Sequence, residues 1–309
     1  MTLEFWFEIK EQNMSDYMQE LFLNPTKERR EKVREYFDEN FEKIKRARLG
    51  RSLLGEDIDL YKIGEGKTNI LYVGAHHGSE HITASLLYDF MRKMVKNKEM
   101  YHNVRTDFYL KQYSIFIVPL INPDGVELSL SGAFDNPLKE RQKRMAGDEI
   151  YTDWQANARG VDLNHNYSYG FGEYKKIEFE REIAPGKTLF SGAYPESEPE
   201  TKALANLVRS IDFSLVVSLH SQGEEIYYFP KSEKAKHIAK SAESKLGYKI
   251  SLPTDTAAFG GFCDYTGCEL GIVSLTLEIG KGKNPLPPSE YYRIKERLSK
   301  LLFLLPTEL

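Results

Sequence analysis

The sequence predicts an α/β protein with a mixed, mostly parallel central sheet and helices on both faces. Apolar strand-like segments alternate along the chain with amphipathic helical segments, which is the order produced when helices cover a sheet on both sides. Four strand-like segments have ionisable residues at their carboxyl ends, where ligands bind in sheets of this kind. The 309 residues suffice for one large core with a small appendage.

Basic and acidic residues are evenly mixed, with 42 Lys and Arg, 46 Asp and Glu and a formal net charge of -4. The absence of a basic face or tail argues against a nucleic-acid partner and favours a small or peptide-like one. The first fifteen residues lack the basic start and unbroken apolar run of a signal peptide. No window approaches the roughly 20 apolar residues of a membrane helix. We therefore expect a cytoplasmic protein with no membrane partner.

The chain has two cysteines, Cys263 and Cys268. They are too few for a cysteine-based zinc site. We expect free thiols, as in a reducing compartment, although a spacing of five also permits a local disulfide.

The first half of the chain has clear element patterns. Residues 26–48 have a helical stripe of apolar residues with Thr26 as a plausible N-cap. Strands are predicted at 60–63 and 69–73, around the turn GEGK, and a helix follows over about 82–95.

Further along, a buried strand is predicted at 114–120, ending in the turn residues 122–125. Residues 131–160 show little periodicity and are expected to form a long loop. The next helix is predicted to start with Ser197 as its N-cap and Glu200 completing a capping box. Two later apolar strands each have one ionisable residue near the carboxyl end.

Those strand ends supply the chemistry of a catalytic zinc site. His77 and Glu80 stand three apart after the strand at 69–73, so one turn can bring both to one ion, and His220 can add a third ligand from another strand end. Two histidines and a glutamate leave a fourth position for water. Glu278 can then act as a general base. A His-x-x-Glu pair alone is more often surface chemistry, but the common placement of these residues favours the metal site.

Five short motifs, in order, resemble the landmarks of the zinc carboxypeptidase family typified by carboxypeptidase A. They are HGSE at 77–80, NPDG at 122–125, GVDLNHN at 160–166, SLHS at 218–221 and LEIG at 277–280. The resemblance extends from about residue 48 to the C-terminus. It implies a zinc peptidase catalytic domain over 48–309, with residues 1–47 as an N-terminal helical extension packed on it.

By motif match, the resemblance also implies a role for each site residue and one Zn²⁺ per chain. The zinc ligands would be His77, Glu80 and His220, with Glu278 as the general base. His77 is chosen over His76 because only His77 stands three before Glu80. His76 and His81 are then neighbours of the site, and Asp124 is expected to hold a turn.

The sequence departs from the digestive carboxypeptidases in the GVDLNHN motif. Asn164 would contact the substrate carboxylate, but the next residue is His165, where those enzymes have an arginine that clamps the C-terminal carboxylate. A histidine has at most two donors and is mostly neutral at pH 7. A non-arginine residue here resembles the branch of the family that cleaves cell-wall peptides between γ-D-glutamate and a diamino acid.

The residue that stabilises the oxyanion is less well defined by the pattern. Arg159 is the candidate we select, ahead of Arg144 and Arg141, whereas strict spacing to one branch selects Gln155 instead. Spacing places Thr256 where the digestive enzymes have a substrate-capping tyrosine. Asp264, at a position that helps form the specificity pocket, could bind the extra ammonium of a diamino acid or simply form an Asx-turn.

The predicted function is therefore zinc-dependent hydrolysis of γ-D-glutamyl-diamino acid (cell-wall) peptides. One alternative is a conventional metallocarboxypeptidase whose carboxylate anchor lies in the basic stretch KERQKR at 139–144. Others are an N-acyl amino acid deacylase and a non-catalytic metal-binding protein.

Overall fold

The computed structural model describes residues 17–147, 150–252 and 259–309. Its centre is an eight-stranded sheet in the order β1-β2-β6-β3-β7-β10-β8-β9. The strands are β1 (Ile44–Arg51), β2 (Asp57–Ile63), β3 (Thr68–Val73), β6 (Tyr113–Val118), β7 (Phe213–Ser221), β8 (Glu225–Phe229), β9 (Lys249–Ile250) and β10 (Val273–Ile279), with β4 (Glu99–Met100) and β5 (Val104–Arg105) forming a separate two-stranded sheet. The four central strands, β6, β3, β7 and β10, are parallel, and β2 and β8 join them antiparallel.

Helices cover both faces of the sheet. They are α1 (residues 17–23), α2 (Lys27–Asn40), α3 (Ile82–Lys96), α4 (Thr106–Gln112), α5 (Pro123–Ser131), α6 (Lys139–Ala146), α7 (Phe171–Glu180), α8 (Pro199–Ser210), α9 (Glu233–Leu246), α10 (Phe262–Asp264) and α11 (Pro288–Leu304). The predicted mixed, mostly parallel α/β fold is confirmed.

The apolar run of β3 shows why the central strands read as continuously hydrophobic. Ile70 and Tyr72 pack into the core on the side of α3, α9 and α11, whereas Leu71 and Val73 pack into a second core on the side of α8. Because neighbouring strand residues point to opposite faces, a strand covered on both sides buries every position.

Several element predictions need correction. The helix predicted over 26–48 ends at Asn40, and strand β1 begins at Ile44. Ile44 pairs with Ile63 of β2, so its side chain enters the core from an edge strand instead of a helix. The helical spacing of apolar residues therefore continued by coincidence from α2 into β1.

The NPDG residues begin a helix and do not form a separate turn. Asn122 is the N-cap of α5, its side chain accepting a hydrogen bond from the Gly125 N–H, and Pro123 occupies the first turn, where its missing N–H costs nothing. The long loop predicted over 131–160 contains helix α6.

The predicted capping box of α8 is also wrong. Glu198 is the N-cap residue, and the Ser197 hydroxyl donates to the Glu198 carboxylate. Glu200 accepts a hydrogen bond from the distant Leu53 N–H. Leu53, which is distant in the sequence, has therefore replaced Ser197 as the hydrogen-bond partner of the Glu200 carboxylate.

Both cysteines are free, Cys263 buried and Cys268 exposed. Among the residues described, no helix has the length and apolar character needed to cross a membrane.

Candidate metal centre and cavity

The site lies at the carboxyl edge of the four parallel strands. After β3 the chain passes through an extended His77 into a 3-10 turn, Gly78–Glu80, that runs directly into α3. This turn is pressed against the start of α5, where a Cβ on Gly78 would lie 2.2 Å from the Gly125 carbonyl oxygen. Glycine at 78 therefore permits the approach that directs His77 and Glu80 to the same point.

The structure brings His77, Glu80 and His220 together. Oε2 of Glu80 lies 3.3 Å from Nδ1 of His77 and 3.1 Å from Nδ1 of His220. One ligand atom from each residue lies within 4.8 Å of the other two. Nδ1 of His77 and Oε2 of Glu80 are buried without a hydrogen-bond partner. Two inward-facing buried atoms without partners, in a His2Glu set, fit a catalytic zinc.

Each of these three side chains is also contacted by a polar group on the side away from the other two. Nε2 of His77 lies 3.1 Å from Oδ1 of Asp162, and Nε2 of His220 lies 3.2 Å from the Ser218 hydroxyl. The Asn284 amide donates to Oε1 of Glu80 at 3.1 Å. Contacts of this kind fix the ring orientation and tautomer of metal-binding histidines, leaving each Nδ1 lone pair free to ligate.

Burial and neighbouring charges act in opposite directions on the pKa values of the site residues. Burial disfavours protonated His77, but the carboxylates of Glu80 and Asp162 outweigh it and raise the pKa of His77 well above its ordinary value. Burial likewise opposes ionised Glu80, yet His77 and His220 lower its pKa to about 2. The Asp162 carboxyl pKa is also lowered, because His77 and His165 outweigh its burial. The two buried carboxylates that attract a proton to His77 would equally attract a divalent metal, which would replace that proton.

Glu278 stands beside this centre. It is the register partner of His220 in the parallel pair of β10 and β7, so the two side chains emerge from adjacent strands. Burial and then the charge of Glu80 raise the pKa of Glu278 well above its ordinary value.

A cavity of about 180 Å³ adjoins the centre. Its lining residues come from the strand ends and from the loops before α7 and at α10, and they include six of the predicted site residues. These six are His77, Asn164, His165, His220, Asp264 and Glu278.

The predicted substrate-binding residues are held firmly. The side-chain oxygen of Asn164 accepts from the Phe262 N–H at 3.0 Å, tying the GVDLNHN segment to α10. The ring of His165 stacks on Tyr174 with centroids 4.1 Å apart, and its Nδ1 lies 3.0 Å from the Phe259 carbonyl oxygen. Asp264 is 6% exposed, and burial raises the pKa of its carboxyl to about 7.

Arg159 is not brought into the cavity. Its guanidinium lies 3.7 Å from the buried carboxylate of Glu198, and it is not among the cavity-lining residues in the described part of the chain. Gln155 does line the cavity, and its side-chain oxygen accepts a hydrogen bond from the Thr188 hydroxyl. Arg141 and Arg144 lie on α6, and Thr256 falls outside the described residues.

The two neighbouring histidines have different surroundings. His76 stacks on His220 at 5.6 Å and contacts the Tyr167 hydroxyl through Nε2 at 3.1 Å. His81 is buried, and this burial lowers its pKa to about 4. Asp124 accepts from the Ser52 hydroxyl and the Leu54 N–H, so it holds the 52–54 loop and not the expected turn.

Sequence reasoning missed Asp162, Ser218 and Asn284. Asp162 lies two residues before Asn164, and Ser218 two before His220, inside motifs already singled out. For Asp162 and Ser218, the available signal was this i, i+2 spacing. Asn284 meets Glu80 across 204 positions, and no local pattern marks it.

Comparison with known proteins agrees with this geometry. The family described as zinc carboxypeptidase matches residues 34–299. The γ-D-glutamyl-L-diamino acid endopeptidase 1 of Lysinibacillus sphaericus is 28% identical over 255 residues, covering 79% of this chain and 62% of that protein. Murein peptide amidase A of Escherichia coli K12 is 27% identical over 222 residues, covering 69% of this chain and 74% of that protein.

A solved structure shares the fold. Bovine thrombin-activatable fibrinolysis inhibitor, in complex with tick carboxypeptidase inhibitor, superimposes with a TM-score of 0.64 at 22% identity, covering 90% of this chain and 92% of that one. With the family match spanning most of the sequence, the chain belongs to the zinc carboxypeptidase family, a family of zinc metallopeptidases.

Proposed function

We propose that this peptidase cleaves the amide bond between γ-D-glutamate and a diamino acid in cell-wall peptides, using one zinc ion per chain. The observation that carries the proposal is the character of residue 165. In this position His165 is stacked on Tyr174 and engaged by the Phe259 carbonyl, so one ring nitrogen is left for substrate. A single nitrogen cannot reproduce the paired hydrogen bonds of a guanidinium.

The composition of the cavity wall supports the same conclusion. Within the described chain, the lining contains no arginine or lysine, whereas Asp264 adds a carboxylate beyond the metal site and the base. A wall with carboxyl groups and no cationic side chain disfavours a substrate recognised by its carboxylate alone. It favours one that also has an ammonium group, which would stabilise ionised Asp264 against the burial that raises its pKa to about 7. Asp264 is the group we assign to that ammonium.

Each catalytic role is assigned to a residue at the centre. A zinc ion held by His77, Glu80 and His220 would polarise the scissile carbonyl and lower the pKa of water. Glu278 would take the proton from the attacking water and return it to the leaving amine nitrogen, since it is the carboxylate beside the ligands.

For the developing oxyanion, we propose Gln155 in place of Arg159. The Gln155 side-chain oxygen is occupied by Thr188, so its amide N–H groups remain as donors at the cavity wall. A positioned donor of this kind is worth roughly 10²–10³ in kcat. Arg159 is already committed to Glu198.

The names of two relatives agree with this substrate class. One is a γ-D-glutamyl-L-diamino acid endopeptidase and the other a murein peptide amidase. The chain spans 62% of the length of the first, so its activity is transferred here only as part of the proposal.

The test is mass-spectrometric digestion of L-Ala-γ-D-Glu-meso-diaminopimelate beside hippuryl-L-phenylalanine. We expect release of diaminopimelate with the larger kcat/KM, and a loss of about 10³ in kcat for Glu278→Gln, within the range for a general base. Metal analysis of Glu278→Gln should still find zinc. Faster cleavage of the hippuryl dipeptide would replace the proposal with a conventional carboxypeptidase, whose carboxylate anchor would then have to be found outside the described cavity lining.

A further inference from the structure

One wall of the cavity is formed by strand β8, which pairs antiparallel with β10. In this pairing, Glu278 is the register partner of Glu225, and Thr276 is the partner of Tyr227. Tyr227 and Thr276 both line the cavity. Strand β8 lies beside the strand that has the general base, and it therefore presents Tyr227 and Glu225 one strand further from the metal centre.

The hydroxyl of Tyr227 has a fixed direction of hydrogen bonding. It donates to Oε2 of Glu225 at 2.5 Å, a short bond of the charge-assisted kind. A phenol has one proton to donate. With that proton directed to Glu225, the remaining lone pairs of the Tyr227 oxygen are available only as acceptors.

Glu225 keeps its negative charge uncompensated by side chains. Within the described part of the chain, no lysine, arginine or histidine lies within 4.0 Å of its carboxylate, although many other carboxylates are paired in this way. The Tyr227 oxygen thus stands in front of a negative charge, which strengthens it as an acceptor and makes it repel an anion.

We propose that Tyr227, held by Glu225, is a second specificity-determining residue in the cavity that Asp264 also lines, and that it selects substrates whose leaving amino acid has a hydrogen-bond-donating side-chain group, such as a second ammonium, whose three N–H donors can serve both residues. The inference deepens the proposed function and rests on it for the choice of substrate. Tyr227 is the residue that meets substrate, and Glu225 is a positioning residue that sets which way its hydroxyl points.

The experiment compares kcat/KM for two peptides that differ by one amino group, L-Ala-γ-D-Glu-meso-diaminopimelate and the same peptide ending in L-2-aminopimelate. The wild-type zinc enzyme should prefer the first. In Tyr227→Phe the preference should fall by about 10-fold or more, mainly through KM for the diamino substrate, as expected for a lost hydrogen bond to a charged group. Glu225→Gln should give a smaller loss, because the amide oxygen still accepts from Tyr227 but has no charge.

Tyr228→Phe is the matched control, because Tyr228 is next along β8 and packs into the core on the opposite face. It should leave the preference unchanged. If Tyr227 had only a structural role, Tyr227→Phe would lower kcat/KM equally for both peptides. That result would overturn the inference.

Failure of the proposed substrate can be told apart from failure of this inference. If ordinary dipeptides are the true substrates, the same variants are measured on hippuryl-lysine and hippuryl-norleucine. Loss of a lysine preference in Tyr227→Phe would keep the inference and reject the cell-wall substrate. An identical ratio in wild type and Tyr227→Phe, on whichever pair is cleaved, would reject the inference.

Discussion

The candidate zinc ligands His77, Glu80 and His220 are oriented by residues that would not themselves bind the metal. Asp162 illustrates this, because one carboxylate serves several partners. Its Oδ1 orients His77 and accepts from the Asn164 N–H, while its Oδ2 accepts from the Leu189 N–H and lies 3.1 Å from the Thr188 hydroxyl oxygen. It therefore joins the turn at 77–80 to the GVDLNHN segment and to Thr188 and Leu189.

We predict that Asp162→Asn lowers zinc affinity about 10- to 100-fold, the usual effect of losing a partner behind a metal ligand. The amide can still accept one hydrogen bond, but it no longer favours the His77 tautomer with Nε2 protonated. Competition with a chromophoric chelator measures the affinity. Asp107→Asn is the control, since Asp107 is an exposed carboxylate paired with Arg105; an equal effect of both substitutions would contradict the assigned role.

For single residues, the sequence predicted placements that follow from local spacing and strand ends. It missed contacts between residues that are distant along the chain. The nearness of His77 to Glu80 was predictable because three positions of one turn fix their separation, and that of His220 to Glu278 because both fall at strand ends. Asn284 could not be found, because its contact with Glu80 exists only after β10 and the following loop have returned to the sheet. Arg159 was selected because a cation is generally needed to stabilise the oxyanion. Its side chain instead lies against the buried carboxylate of Glu198.

Among the elements, the N-terminal helices bear most directly on the site, because they pack on the helix that follows Glu80. Phe22 of α1 is fully buried, stacks on Phe37 of α2 and contacts Tyr88 of α3. Its carbonyl oxygen accepts from the Ser85 hydroxyl at 2.6 Å. We propose that, within the described chain, residues 17–43 belong to the N-terminal helical extension that the sequence predicted over 1–47, with its limit at the strand that starts at Ile44.

We predict that Phe22→Ala costs about 3–5 kcal/mol in the free energy of unfolding, the usual range for emptying a buried aromatic site. Urea denaturation of the zinc-free protein measures it without a contribution from metal binding. Tyr17→Ala, in the same helical stretch but 53% exposed, should change stability far less. If Phe22→Ala were as mild as Tyr17→Ala, the helices would be an appendage and not part of the core.

Element boundaries were harder to predict than element types. The apolar positions up to Ile44 satisfy a helical stripe, and nothing local shows that Arg46 will meet Asp38 of α2 and Asp59 of β2 from a strand. The capping box at Ser197 failed for the same reason, because Leu53 competes for Glu200 from far along the chain. Contacts with residues distant in the sequence therefore determine where such helices and strands begin and end.

For the whole molecule, the two-sided core and the site at one sheet edge were predictable, because continuous apolar strands have to be covered on both faces. The less predictable feature is a group of buried carboxyls behind the site. Asp124, Glu198 and Glu200 are each at most 1% exposed. The Asn157 amide donates to both glutamates, and Arg159 lies against Glu198.

Glu200 makes the stability of the whole fold depend on pH. Burial, and then the neighbouring Asp124, raise its pKa from an ordinary 4.5 to about 8. The folded protein therefore holds a proton on Glu200 that the unfolded chain releases near pH 4.5, and the stabilisation from that proton is complete below pH 4.5 and declines as pH rises to about 8. Each unit of pKa difference corresponds to about 1.4 kcal/mol.

Because glutamine mimics the protonated acid, we predict that Glu200→Gln becomes more stable relative to wild type as pH rises from 5.5 to 8.5. Urea denaturation of both proteins at the two pH values measures the difference, and contributions from all other titrating groups cancel between them. Asp124, whose pKa burial raises to about 6, titrates in the same window, but its effect is shared by both proteins unless the substitution alters its own pKa. A difference in stability that stays constant across this range would mean that Glu200 is ionised in the folded protein, and that the Leu53 N–H and Asn157 amide are sufficient to hold its charge.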